Sequence, residues 1–175
     1  TIMEREIESG ISCDTALIEF GGNDCNFDWK AISDRPDEEH LPVTSPEAYM
    51  ESMREMIRRL LHQGIQPVLM TLPPIDAEKY FTFLVGDTLN RENILRWLGD
   101  VQQIYRYQEM YSLLVEKIAR EFSIRLLDLR SRCLMERNFF RDMICQDGLH
   151  LNEKGQRFLG EQVAELVRLE HRQAV

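Results

Sequence analysis

Two apolar runs in this chain, residues 14–20 (DTALIEF) and 66–72 (QPVLMTL), end abruptly, the first at Gly21-Gly22 and the second at Pro73-Pro74. A glycine pair favours a tight loop and a proline pair cannot continue a central ladder, so both read as buried strands with sharp carboxyl ends. A third run, residues 124–129 (IRLLDL), has the same character. The stretches between them are helical. Thr44-Ser45-Pro46-Glu47 combines a capping hydroxyl, a proline suited to a first turn and an acid suited to the dipole. Beyond it Tyr49, Met53, Met56, Ile57, Leu60 and Leu61 recur at helical spacing up to Gly64, which makes the methionines helix or core residues. Val101, Ile104, Tyr105, Tyr111, Leu114, Val115, Ile118 and Phe122 mark a second long amphipathic helix. Asn152 is a natural cap for a terminal helix that buries Phe158, Leu159, Val163, Leu166 and Val167. Strands alternating with helices of this length require crossovers, so the class is α/β with a parallel sheet.

Less regular segments lie between these elements. Residues 23–44 are polar, with an acidic run around Asp37, and read as a solvated loop; residues 75–100 read as short surface helices. The aromatics from Tyr80 to Trp97 are either a lid or pocket wall or the buried side of those helices. Phe27 and Trp29 fit a substrate pocket and core packing equally well.

The 175 residues, 43% apolar and 29% charged, suit a single globular domain spanning residues 1–175. A formal net charge of −9 argues against nucleic acid or an anionic membrane as partner. No apolar run approaches the roughly 18–20 residues of a membrane span. Met3 is followed by Glu4, Arg5 and Glu6 rather than by a signal-peptide pattern. Cysteines 13, 25, 133 and 145 form no CxxC pair, which favours reduced thiols and a cytoplasmic location over two disulfides.

Two motifs carry chemistry. Gly21-Gly22-Asn23-Asp24 follows the first strand, and Asp147-Gly148-Leu149-His150 precedes the last helix. Functional groups of open α/β sheets gather at the carboxyl ends of strands, so the two can share a cleft. Asp147 and His150, three apart around a glycine, can bend into one turn in which the carboxylate holds imidazole Nδ1 and frees Nε2 as a base. Asn23 offers an amide donor to a developing oxyanion.

In this order and placement the motifs resemble the SGNH, or GDSL-like, hydrolase family, whose blocks include a GxND after a central strand and a DxxH shortly before the C-terminal helix. The resemblance covers residues 14 to about 169, including the Leu151-Asn152-Glu153-Lys154-Gly155 helix entry. It implies a flavodoxin-like three-layer α/β/α fold and hydrolysis of esters, thioesters or acetyl groups without cofactor or metal. It makes His150 the general base, Asp147 its orienter, Asn23 an oxyanion donor and Asp24 a brace for the loop. The partner implied is a small-molecule ester.

The family's Gly-Asp-Ser block and the glycine-bearing block after it are missing, and Ser9 and Ser12 have no preceding strand. Three strands also fall short of the roughly five usual in a sheet. The expectation is a C-terminal portion of a longer hydrolase, with two strands and the nucleophilic serine upstream of Thr1. The rival is a non-catalytic α/β binding or assembly module on the same scaffold. Two lesser readings make Cys25 the nucleophile activated by His150, or gather Asp24, Asp147, His150 and Cys25 or Cys145 around a metal. A flavodoxin-like nucleotide or phosphate binder lacks its GxxxxGK[ST] or GxGxxG loop. His40, His62 and His171, in charged surroundings, read as solvated.

Overall fold

The computed structural model describes residues 13–173. Its three strands, β1 (Thr15–Ile18), β2 (Gln66–Met70) and β3 (Arg125–Leu127), form one parallel sheet in the order β1-β2-β3. Leu17 pairs with Val68 and Leu69 with Leu126. Each strand stops a residue or more before the end expected from its apolar run, and the residues beyond β1 turn into the loop that carries Asn23. The expected Gly64 and Asn152 boundaries hold, with Gly155 N–H donating to Asn152 Oδ1 at 3.1 Å.

Eight helices complete the described residues. The sequence treats residues 23–44 as a loop, but α1 (Trp29–Asp34) forms there, capped by Asp28 Oδ1 accepting from Ala31 N–H at 2.9 Å. Six residues are too few for a visible apolar stripe; tertiary burial of Trp29 and Ile32 holds the turn in place. α2 (Pro46–His62) joins β1 to β2. The blurred region resolves into α3 (Ala77–Val85), capped by Asp76, and α4 (Arg91–Leu98), capped by Asn90. α5 (Gln102–Phe122) leads into β3, followed by α6 (Leu129–Met135), α7 (Phe139–Asp142) and α8 (Glu153–Gln173).

Strand alternation divides the core. Ile18 and Leu69 face α2 and α5, meeting Ile57, Tyr111, Val115 and Ile118. Met70 and Leu127 point the other way, into Leu129, Cys133, Phe139 and the apolar face of α8. Helices on both faces of a parallel sheet make the α/β layering implied by the sequence. A third cluster around Phe27, Trp29, Phe81 and Ile94 packs the α1, α3 and α4 segments at the carboxyl edge. Large side chains so buried each contribute about 1.5–3 kcal/mol.

Candidate active site

The first loop leaves β1 at Glu19 and is tied to the body by its own main chain. Tyr49 Oη donates to Phe20 O at 2.9 Å, Cys25 N–H to Gly21 O at 3.0 Å and Asn26 N–H to Asn23 O at 3.2 Å. From the next segment, Thr44 N–H donates to Asp24 O at 3.1 Å and Val43 N–H to Asn26 O at 2.7 Å. The main-chain carbonyl of Asp24 thus ties the loop to the segment before α2. Asn23 is exposed at the cleft, and no other described residue engages its side-chain amide. Such a donor can meet a negative oxygen.

The second loop is a compact turn. Cys145 N–H donates to His150 O at 2.8 Å, and Ile144 bridges Leu151 in antiparallel fashion. Asp147 Oδ1 accepts the N–H groups of Leu149 (2.9 Å) and His150 (3.0 Å). Its Oδ2 accepts from His150 Nδ1–H at 2.6 Å. An ionised carboxylate only accepts, so Nδ1 carries the proton and Nε2 of the neutral ring is left with its lone pair. Desolvation raises the Asp147 carboxyl, but the bonds from the His150 ring and the two main-chain N–H groups outweigh it and hold the group below its ordinary value. The Asp147 side chain is 17% exposed and that of His150 is 73% exposed, so the base faces solvent while its orienter does not.

Gly148 locks this turn onto the fold. Its carbonyl accepts Asp76 N–H at 2.8 Å, its φ is +73°, and a Cβ there would lie 2.5 Å from Tyr80 N. Only glycine fits both the left-handed conformation and the contact.

Both loops line one cleft of about 350 Å³, which brings Asn23 and His150 to the same opening with Asp147 directly behind the ring. The structure thus gathers all three residues singled out in the sequence. Phe27 and Trp29 are 5% and 7% exposed, packed in the core, and they also wall the cleft. Of the aromatic segment, Tyr80 reaches the cleft, while Phe81 is buried and Trp97 packs edge-on to Phe27 at 5.0 Å. His62 is exposed, but His40 is half-buried, bonded to Arg35 O at 2.9 Å and edge-on to Trp97. His171, Ser9, Ser12 and the Thr1 start lie outside the described residues or side chains.

Sequence reasoning missed several polar residues of the cleft, Glu19, Asn26, Gln108 and Gln156 among them. Gln108 is 4% exposed; its Nε2 donates to Pro73 O at 2.7 Å and its Oε1 accepts from Arg130 Nη1 at 2.7 Å. The signal was present, because Gln108 interrupts the apolar stripe of α5 between Ile104 and Tyr111.

Cys25 lines the cleft, but its thiol is engaged and buried. Its Sγ–H donates to Gly22 O at 3.3 Å, and burial pushes the thiol up to about 12, far from a thiolate at neutral pH. No group of three or more His, Cys, Asp or Glu among the described residues is placed to hold a metal ion. The described cysteines are free thiols, and no described helix is long and apolar enough to cross a membrane.

Fold and cleft together define a class: a parallel α/β protein in which an imidazole–carboxylate pair and an amide-bearing loop share the carboxyl edge of the sheet. The chain belongs to the GDSL-like lipase/acylhydrolase family, whose sequence pattern matches residues 3–158. It is 22% identical over 163 residues to a GDSL esterase/lipase, WDL1, of Oryza sativa subsp. japonica, covering 92% of this chain and 56% of the rice protein. It therefore spans little more than half the length of that relative. Several solved structures share its fold, among them these three. A lipase/acylhydrolase from Enterococcus faecalis superposes with a TM-score of 0.59 at 16% identity, over 96% of this chain and 69% of that one. A mutant acetyl-xylooligosaccharide esterase from Geobacillus gives 0.61 at 16% identity, over 94% and 65%. An acetyl xylan esterase, AlAXEase, gives 0.60 at 20% identity, over 94% and 72%.

Proposed function

We propose that the protein is a serine hydrolase acting on small esters or acetyl groups, with the serine contributed by a segment outside the described residues. The observation that carries this reading is the 2.6 Å bond from His150 Nδ1–H to Asp147, which presents Nε2 at the cleft that Asn23 also lines. No serine or threonine stands among the described residues of that cleft, and Cys25 is unsuited to attack. We place the further strands of the sheet at the outer edge of β1, where Leu17 is 39% exposed and no strand pairs among the described residues.

In this mechanism the serine Oγ attacks the acyl carbon while His150 Nε2 takes its proton. Asp147 stabilises the resulting imidazolium, and Asn23 donates to the oxyanion of the tetrahedral intermediate. Collapse sends the proton from Nε2 to the leaving alkoxide. Water, deprotonated by the same nitrogen, then releases the acid and restores the serine. The acetyl esterases among the structural neighbours make acetyl esters the first substrates to try.

The test is p-nitrophenyl acetate turnover and fluorophosphonate labelling. The full-length protein is expected to turn over the ester and to label at one serine, whereas the 175-residue segment gives no more than its own His150→Ala variant. Full activity of full-length His150→Ala would overturn the assignment, and a full-length protein that neither labels nor turns over points to a binding module.

A further inference from the structure

We propose that Asn26 is a specificity-determining residue that selects esters carrying a second hydrogen-bond acceptor a few bonds from the scissile group. This inference rests on the hydrolase reading above. Its basis is a full account of the polar groups of Asn26. The main-chain N–H donates to Asn23 O at 3.2 Å, and the main-chain carbonyl accepts from Val43 N–H at 2.7 Å. The side-chain oxygen accepts twice, from Trp29 Nε1–H at 2.7 Å and from Tyr80 Oη at 3.3 Å. An indole nitrogen can only donate, so the accepting atom is the amide oxygen and the orientation of the amide is settled. Nδ2 is the one polar group left. None of the described residues accepts from it, and it is not among the buried unpaired atoms, so it stays accessible at a residue that lines the cleft.

The setting makes that donor selective. Phe27, Ile75, Tyr80 and Leu149 wall the same cleft, alongside polar side chains that include Glu19, Gln108 and Gln156. Asn23 and Asn26 sit three residues apart on one turn, which sets two amides on a single loop, one at the position proposed for the oxyanion and one beside it. A wholly alkyl ester would strip water from Nδ2 and return nothing, whereas an ether, carbonyl or hydroxyl oxygen would replace that water. Burial keeps the Tyr80 hydroxyl protonated, so the donor that holds the amide persists at neutral pH.

The test uses the full-length protein and two matched pairs of esters in which an ether oxygen replaces a methylene. 2-Methoxyethyl acetate against butyl acetate probes the alcohol side; ethyl 3-methoxypropanoate against ethyl pentanoate probes the acyl side. The readout is the ether-to-alkyl ratio of kcat/KM in a variant relative to wild type, which cancels intrinsic reactivity. Asn26→Asp keeps the acceptor for Trp29 and Tyr80 but has no donor, and the ratio is expected to fall about tenfold to a hundredfold for one of the pairs. Tyr80→Phe, which frees the amide to turn, lowers it less. Asn23→Ala slows both members of each pair and leaves the ratio unchanged. Ratios unmoved by Asn26→Asp in both pairs overturn the inference while leaving the hydrolase reading standing. Absence of turnover of any ester by the wild type overturns both.

Discussion

Gly148→Ala strikes the point at which the turn bearing Asp147 and His150 rests on the first turn of α3. An added Cβ would lie 2.5 Å from Tyr80 N, 2.6 Å from Asp76 O and 2.7 Å from Lys79 Cβ. Normal contact is about 3.5–4.0 Å, so the overlap is on the order of 1 Å, and two of the three atoms are helix backbone that cannot swing aside. The left-handed conformation at φ +73° adds about 1–2 kcal/mol for a residue with a Cβ, and overpacking adds about 1–3 kcal/mol. A total of about 2–5 kcal/mol is a large part of the roughly 5–15 kcal/mol that holds a domain together. If the turn retreats instead, it carries the imidazole about 1 Å from its place, and a displacement of that size costs on the order of 100-fold in rate. Gly64→Ala is the control, since Gly64 has φ +79° but open space around its Cβ. Urea denaturation and esterase kinetics of the full-length variants separate the two contributions. Gly64→Ala should lose about 1–2 kcal/mol through strain alone and keep its rate. A Gly148→Ala protein matching Gly64→Ala in stability and within threefold of wild-type kcat/KM would refute the argument that contact with α3 positions the base.

Other expectations follow from the same geometry. Asn23→Ala in the full-length protein should lower kcat by about 100- to 1000-fold with little change in KM, as the loss of one oxyanion donor does. Iodoacetamide should modify exposed Cys13 in the native protein, whereas buried Cys25 and Cys133, both with thiols pushed up to about 12, react only after unfolding; peptide mapping reads this directly. Acid should destabilise the fold through Asp128 and Asp147. At both, desolvation pulls the carboxyl upward, but hydrogen bonds outweigh it, at Asp128 from Ser131 and from Thr71 Oγ1 at 3.1 Å. Each pKa is therefore lower in the folded chain than in the unfolded one. The stabilisation is complete above about pH 4 and is lost as pH falls through the depressed values. The urea midpoint should drop as pH falls below about 4, and Asp128→Asn should flatten that dependence.

The sequence shows an element clearly where its pattern is long or its geometry local. α2, α5 and α8 declare themselves through sustained apolar stripes, and the Asp147–His150 pair through a span of three residues that any glycine turn can close. α1 is silent because its six residues form around Phe27, Trp29 and Trp97, rings brought together from two distant segments. The orientation of Asn26 is hidden for a similar reason, since one of its two donors, Tyr80, stands 54 residues away. Asn23 could be placed at the cleft because Gly21-Gly22 ends a strand; which neighbours leave its amide unengaged could not be read without the fold.

The order of these groups along the chain also sets when they meet. The amide loop follows β1, whereas the base arrives roughly 130 residues later, on the order of ten seconds at about 5–20 residues per second of synthesis. By then β1, β2 and β3 have all been synthesised, with α2 and α5 to close one face of their sheet. The turn bearing His150 rests on α3 and is anchored by α8, so the amide loop is made well before the elements that seat the imidazole. The strands of the sheet and the amide loop thus precede the base and α8 along the chain.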